Sequence, residues 1–175
     1  MCGARMWKRP PNLPMKGDPD TGREIETVIR EYAQGDSPVI NALAKLAPEA
    51  AQWSASGFEQ AAEFGQTILV AEDGVKGRGI RGFLVSRFIG PEGEILNLVV
   101  ASSSRRKGVG SRLLAAVMAD AKTKNVERVY LEVRESNGAA ISLYAKHGFE
   151  KTGQRTNYYR DPTENAVVLE KKLTG

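Results

Sequence analysis

The run Arg105-Arg106-Lys107-Gly108-Val109-Gly110-Ser111 combines residue types that could hold an anion. It stands between an apolar stretch ending at Val100 and a helical pattern that follows. The first amides of a helix lack intrahelical acceptors and sit at the positive end of its dipole. Glycines there let an anion approach the backbone, and basic side chains add charge, which is the composition of a pyrophosphate cradle. The spacing is not that of a Walker A loop. Nor is it a full dinucleotide fingerprint, because Leu113 stands where the third glycine would be. A glycine-rich turn with solvated charges accounts for the run equally well.

Two further residues could move protons. Glu132 lies mid-strand on the face shared with Tyr130, and partial burial would raise its carboxyl towards the range of a useful base. A strand glutamate more commonly ends in a surface salt bridge. Tyr144 could act as an acid, or it could pack with Ile141 and Ala145 on one helical face. Glu94 is a reserve base or a solvated turn charge. Asn137 suits a helix N-cap. His147 and Cys2 carry no expected role. A single His and a single Cys argue against a zinc site, and one Cys excludes an intrachain disulfide.

The elements that must position these residues follow from periodicity. Residues 1–23 hold four prolines and three glycines and predict an irregular lead-in. Ile25 to Tyr32 alternates as a strand, Ser37 to Ala47 predicts a helix ended by Pro48, and a short helix runs from Ser54 or Ser56 to about Phe64. Strands are expected at Thr67 to Glu72 and Ile80 to Ile89, joined through the glycines of Asp73 to Gly79. Pro91-Glu92-Gly93 predicts the next turn. Ile95 to Val100 is nearly continuous apolar, as for a strand buried on both faces. The stripe Val109, Leu113, Val117, Ala121 marks a helix from Gly108 to about Asn125. Arg128 to Arg134 alternates as a strand, Asn137 to His147 predicts a helix stopped by Gly148, and Phe149 to Tyr159 and Asn165 to Leu173 close the chain as strands. The whole is a mixed α/β arrangement with helices on the faces of a sheet, placed in one domain over residues 24–175.

Set between that strand and that helix, Arg105-x-x-Gly108-x-Gly110 resembles the coenzyme A signature of the GNAT superfamily of acetyltransferases. Leu131-Glu132-Val133-Arg134-Glu135-Ser136-Asn137, then Ala139-Ala140-Ile141-x-Leu143-Tyr144, Gly148-Phe149 and Thr156-Asn157-Tyr158-Tyr159, are similar to the RimI-type ribosomal-protein alanine N-acetyltransferases. The likeness covers Ile95 to Leu173, and Trp53-Ser54 resembles a pair those enzymes carry between their first two helices. The resemblance implies an α+β GNAT fold: a mixed, mostly antiparallel sheet, helices on both faces, and a cleft where two strands splay. It implies acetyl-CoA as cosubstrate and no metal. Leu98, Val99 and Val100 would hold the pantetheine arm, with Leu98 and Val100 in the matching places. Arg105 and the backbone of Arg106, Lys107, Gly108, Val109, Gly110 and Ser111 would hold the pyrophosphate, and Asn137 would contact the cofactor. Glu132 would be the general base, Tyr144 the acid, and Trp53, Tyr158 and Tyr159 would line a peptide groove. The implied substrate is a protein N-terminal amine, extending to the N-terminal alanine of a ribosomal protein.

Composition bounds the alternatives. The chain has 175 residues, 41% hydrophobic and 26% charged, with a formal net charge of +4, the profile of an ordinary globular protein. No apolar run approaches a membrane span, and the first 22 residues lack the apolar core of a signal peptide. A cytoplasmic protein without a membrane partner is expected. A GNAT enzyme acting on a small-molecule amine or a lysine side chain is the first rival. A non-catalytic acyl-CoA sensor is the second, and retention of both Glu132 and Tyr144 speaks against it. Nucleic-acid binding is not expected, because the basic run carries no interleaved aromatics.

Overall fold

The computed structural model describes residues 27–74 and 79–173. The expected lead-in over 1–23, with Cys2, lies outside the described residues, as does the start of the first expected strand. The elements are β1 (Thr27–Glu31), α1 (Ser37–Lys45), α2 (Ala55–Glu63), β2 (Thr67–Asp73), β3 (Ile80–Ile89), β4 (Glu92–Val100), α3 (Val109–Thr123), β5 (Arg128–Arg134), α4 (Gly138–Lys146), β6 (Glu150–Arg160) and β7 (Thr163–Lys172). Their order is the one the periodicity predicts.

Local chemistry sets the helix ends. The Ser54 hydroxyl accepts from the Gly57 N–H at 3.0 Å and starts α2. The Asn137 side chain accepts from the Ala140 N–H at 3.1 Å and starts α4. Each satisfies an amide with no intrahelical acceptor. Gly148, at φ +81°, stops α4 in a conformation that glycine adopts freely.

The strands form one sheet in the order β1-β2-β3-β4-β5-β7-β6. Every neighbouring pair is antiparallel except β4 and β5, which run parallel. Helices cover both faces. One core joins α3 and α4 to the sheet through Leu113, Leu114, Val117, Val129, Leu131 and Tyr144. The other joins α1 and α2 through Ile40, Ala44, Phe58, Phe83 and Val99.

The pairing of β4 with β5 covers only Glu92↔Arg128 to Ile95↔Leu131. Beyond it the strands part. Glu132 to Arg134 stay with β7, opposite Val168 to Ala166, while the end of β4 stays with β3. This parting is the splay that the family resemblance implies.

The structure corrects two expectations for β4. The turn before it is Gly90-Pro91, not Pro91-Glu92-Gly93, and β4 starts at Glu92. Gly90 adopts φ +56°, so the chain reverses in two residues and frees Glu92 and Gly93 to pair. Nor is β4 buried on both faces: its burial alternates, with Leu96, Leu98 and Val100 only partly covered. Leu96 is an extra residue in the ladder, because Val85 pairs with Asn97 and Ser86 with Ile95. This bulge changes which side chains face which core. Ile95, Leu98 and Val100 meet the α3 side, and Leu96 and Val99 the α1–α2 side.

Leu113 has no exposed surface and lies at the centre of the α3 core. Leu113→Ala should therefore lower the unfolding free energy by about 3 kcal/mol, read by urea denaturation. A loss under about 1 kcal/mol would contradict this packing.

Candidate active site

The parting of β4 and β5 opens a cleft of about 1320 Å³, larger than the roughly 300–1,000 Å³ of a usual small-ligand site. Its walls include β4 from Glu94 to Val100, the start of α3, the start of α4, the loop before α2, and Tyr158 and Tyr159 of β6. Fifteen of the sixteen residues named from the sequence line it: Glu132, Tyr144, Leu98, Val99, Val100, Arg105, Arg106, Gly108, Val109, Gly110, Ser111, Asn137, Trp53, Tyr158 and Tyr159. Lys107 does not; it is exposed, in the loop between β4 and α3.

Ladder geometry decides which backbone groups face the gap. The Ala101 N–H donates to the Arg81 carbonyl at 2.8 Å, next to the pair Val100↔Gly82. Antiparallel bonds fall on alternate residues, so Val99 turns its backbone to β3 and Leu98 and Val100 turn theirs to the gap. The Val100 carbonyl accordingly accepts from Arg105 Nε at 3.3 Å. Val99 also buries its side chain in the α1–α2 core. It is the one residue of the three whose backbone and side chain both serve the fold.

At the start of α3 the first intrahelical bond is from the Arg112 N–H to the Gly108 carbonyl at 3.0 Å. The amides of Val109, Gly110 and Ser111 precede it and have no intrahelical acceptor. Arg106 at φ +65° and Gly108 at φ +80° bend the chain into this turn. Nothing lies within 4 Å of the place a Gly108 Cβ would take, so the approach to the amides is open. Gly110 differs. A Cβ there would lie 3.0 Å from Leu143 Cδ2 and 3.7 Å from Val100 Cγ2, so this glycine lets α3 meet α4 beneath the gap. Arg105 is partly committed within the protein, since it also pairs with Glu49 at 2.9 Å.

The other end of the cleft carries carboxylates and phenols. Glu132 is paired with Arg155 at 2.7 Å, and the Arg155 guanidinium lies 4.0 Å from the Tyr158 ring centroid. Glu132 is partly buried, as the sequence predicts, and a cation also stands beside it. Glu94 is bonded to Arg87 at 2.7 Å; it is a strand residue facing the cleft, not a turn charge. The Glu132 carboxylate, then partial burial, push the Tyr158 phenol above its ordinary value. For Tyr159 burial is the larger cause and Glu132 the next. Tyr159 also stacks with Arg134, at 4.2 Å. Tyr144 reaches the cleft from α4 with its ring edge-on to Phe149, at 5.7 Å between centroids. Burial raises its phenol well above the usual value, which keeps its proton in place at neutral pH. Its packing role and its place in the cleft coexist. His147 ends α4, and its carbonyl accepts from Lys171.

Residues that the sequence did not single out hold these groups in place. Asn97, a polar residue inside an apolar run, is buried and donates to the Ala51 carbonyl at 2.8 Å. Gln52 donates to the carbonyls of Ala44, Ala47 and Ala50 at 3.0, 3.0 and 3.1 Å. Together they pin the loop that carries Trp53, whose ring meets Phe58 at 5.4 Å. The break in the Asn97 strand's apolar pattern was a legible signal; nothing local marked Gln52. In β6, Thr156 to Tyr158 fall in a shift of register between Arg155↔Ala166 and Tyr159↔Glu164. Asn157, at φ +51°, donates its N–H to Asn165 Oδ1 at 2.9 Å, and Asn165 donates to Glu135 at 3.0 Å.

Gly110→Val puts a branched side chain against Leu143. It should cost roughly 1–3 kcal/mol of stability in urea denaturation, independent of any ligand. Unchanged stability would contradict the close approach of α3 and α4.

Comparison with known proteins agrees with this geometry. The [ribosomal protein bS18]-alanine N-acetyltransferase of Haemophilus influenzae is 36% identical over 98 residues, which cover 54% of this chain and 66% of that enzyme. An N-alpha-acetyltransferase of Sulfurisphaera tokodaii is 44% identical over 79 residues, 45% of this chain and 47% of that protein. The matches to these curated relatives thus span about half to two thirds of their length. The crystal structure of the ribosomal-protein-S18-alanine N-acetyltransferase from Escherichia coli superimposes with a TM-score of 0.74 at 25% identity, over 86% of this chain and 96% of that one. Residues 29–149 match the acetyltransferase (GNAT) family, and the chain belongs to that family.

Proposed function

We propose that this protein is an acetyl-CoA-dependent N-acetyltransferase acting on protein N-terminal α-amines, and that its acceptors include the N-terminal alanine of a ribosomal protein. The observation that carries this reading is one cleft with two chemical ends. Backbone groups of Leu98 and Val100 and the amides of Val109 to Ser111 face one end, and Glu132, Tyr158 and Tyr159 face the other.

The residues present fit the cosubstrate. The gap-facing backbone of Leu98 and Val100 offers strand-like hydrogen bonds to an amide-bearing arm. The open helix start, with Arg106 beside it, suits a pyrophosphate. Acetyl-CoA supplies the acetyl group as an activated thioester. The gap-facing β4 N–H groups would polarise the acyl carbonyl. Glu132 would accept the proton that the ammonium must lose before it attacks, and Arg155 would yield its place on the carboxylate to the incoming amine. Tyr144 would hold a proton at Oη for the departing sulfur. A peptide α-amine ordinarily titrates near pH ~8, against roughly 10.4 for lysine, so it asks less of such a base.

The named activities of the H. influenzae and S. tokodaii relatives support an N-terminal acceptor. Tyr158, 41% exposed at the edge of the cleft, offers a ring surface to an extended chain.

Steady-state kinetics on an Ala-starting peptide, and on the same peptide with a blocked α-amine and a free lysine, test this reading. The free α-amine should be the better substrate. Glu132→Gln should lose most activity at low pH, where the amine is protonated, and regain part of it as the pH rises through about 8. Tyr144→Phe should lose about 10²-fold in kcat with little change in acetyl-CoA affinity. Preference for the blocked peptide would replace the N-terminal assignment by a lysine or small-amine one, and parental rates in both variants would remove Glu132 and Tyr144 from the chemistry.

A further inference from the structure

The turn of Arg105 to Gly108 must be held in place for the amides that follow it to converge. It contains two residues at positive φ, Arg106 and Gly108, and it lies outside the strand ladder. One end is fixed by α3, which is packed along its length. The other end is the short 3-10 turn Ser102–Ser104. Arg105 ties that end to the Val100 carbonyl and to Glu49, and Arg81 of β3 ties it through Ser104.

Arg81 grips the segment twice. Its backbone carbonyl accepts from the Ala101 N–H at 2.8 Å. Its side-chain Nη1 donates to Ser104 Oγ at 2.9 Å. The remaining guanidinium nitrogens, Nε and Nη2, donate to the two carboxylate oxygens of Asp73 at the end of β2. The Asp73 side chain is fully buried and Ser104 is 1% exposed. A planar guanidinium can serve a carboxylate with one edge and a hydroxyl with another; an ammonium cannot match both directions. The next residue, Gly82, holds β3 and β4 close, since a Cβ there would lie 2.6 Å from the Val99 carbonyl. Arg81 therefore stands against the same stretch of β4 whose alternate residues face the gap.

We propose that Arg81, oriented by Asp73 and acting through Ser104, is a positioning residue for cofactor binding: it sets the place of the Arg105–Gly108 turn and hence of the amides at the start of α3. This rests on the reading of that turn as the pyrophosphate site. The amides must converge on one anion, so freedom at the Ser104 end spreads them and weakens binding without touching the acceptor end of the cleft.

The test is acetyl-CoA titration by calorimetry, with steady-state kinetics, on the full chain. Ser104→Ala leaves the Arg81–Asp73 pair intact, whereas removing Arg81 outright would also take the bidentate guanidinium from a buried carboxylate. Ser104→Ala should raise the Kd and KM for acetyl-CoA about fivefold, the effect of one hydrogen bond. It should leave kcat and the KM for the amine within about twofold. Ser104→Thr, which keeps the hydroxyl, should restore much of the affinity. Arg81→Lys should weaken acetyl-CoA similarly, and Arg81→Lys with Ser104→Ala should weaken it no further than either alone, because both break one link. Parental acetyl-CoA affinity in Ser104→Ala, or fully additive losses in the double variant, would overturn the proposal. Absence of acetyl-CoA binding by the parent protein would instead overturn the reading of the turn on which the proposal rests.

Discussion

A strand that loses its neighbour must find other partners for its backbone, and β4 loses β5 after Ile95. An unpaired N–H or C=O inside a protein costs free energy unless something satisfies it. Here the edge at Leu98 and Val100 lies open along a cleft, where water or a ligand can supply bonds beyond the one that Arg105 makes to the Val100 carbonyl. The rest of the arrangement follows from keeping that gap open. β5 stays registered to β7, β4 stays registered to β3, and the contact of α3 with α4 at Gly110 and Leu143 closes the gap from beneath.

The same geometry separates two kinds of chemistry along one groove. The start of α3 collects amides with no intrahelical acceptor beside basic residues, a setting for negative charge. The other end collects Glu94 of β4, Glu132 of β5, and Tyr158 and Tyr159 of β6, each balanced by an arginine or a second ring. Glu132 belongs to the face of β5 opposite the α3 core and so reaches the cleft from above, whereas Tyr144 approaches from the α4 side. An acyl group lying in the gap would pass between Glu132 and Tyr144, the proposed base and acid, which different elements place.

Much of this was legible in local pattern. Alternation at Arg128 to Arg134 and the stripe from Val109 to Ala121 located β5 and α3 because burial imposes those periods directly. Asn137 and Gly148 marked the two ends of α4. Less local features were not legible. The two-residue turn depends on Gly90 adopting positive φ, and Pro91-Glu92-Gly93 looked the more turn-like segment. The bulge at Leu96 is a property of pairing with β3, and an unbroken apolar run conceals it. Ion pairs between distant residues, Arg155 with Glu132 and Arg105 with Glu49, have no signature in either segment alone. They add a cation beside Glu132, the proposed base, and limit the freedom of Arg105.

Amide hydrogen exchange with and without acetyl-CoA tests the central claim most directly, because the claim concerns backbone groups. The account predicts slowed exchange on binding at Leu98 and Val100 and at Val109, Gly110 and Ser111, with Val99 little changed because it already pairs with β3. Protection confined to other segments, or equal protection of Val99 and its neighbours, would contradict the assignment of the β4–β5 gap as the cofactor site.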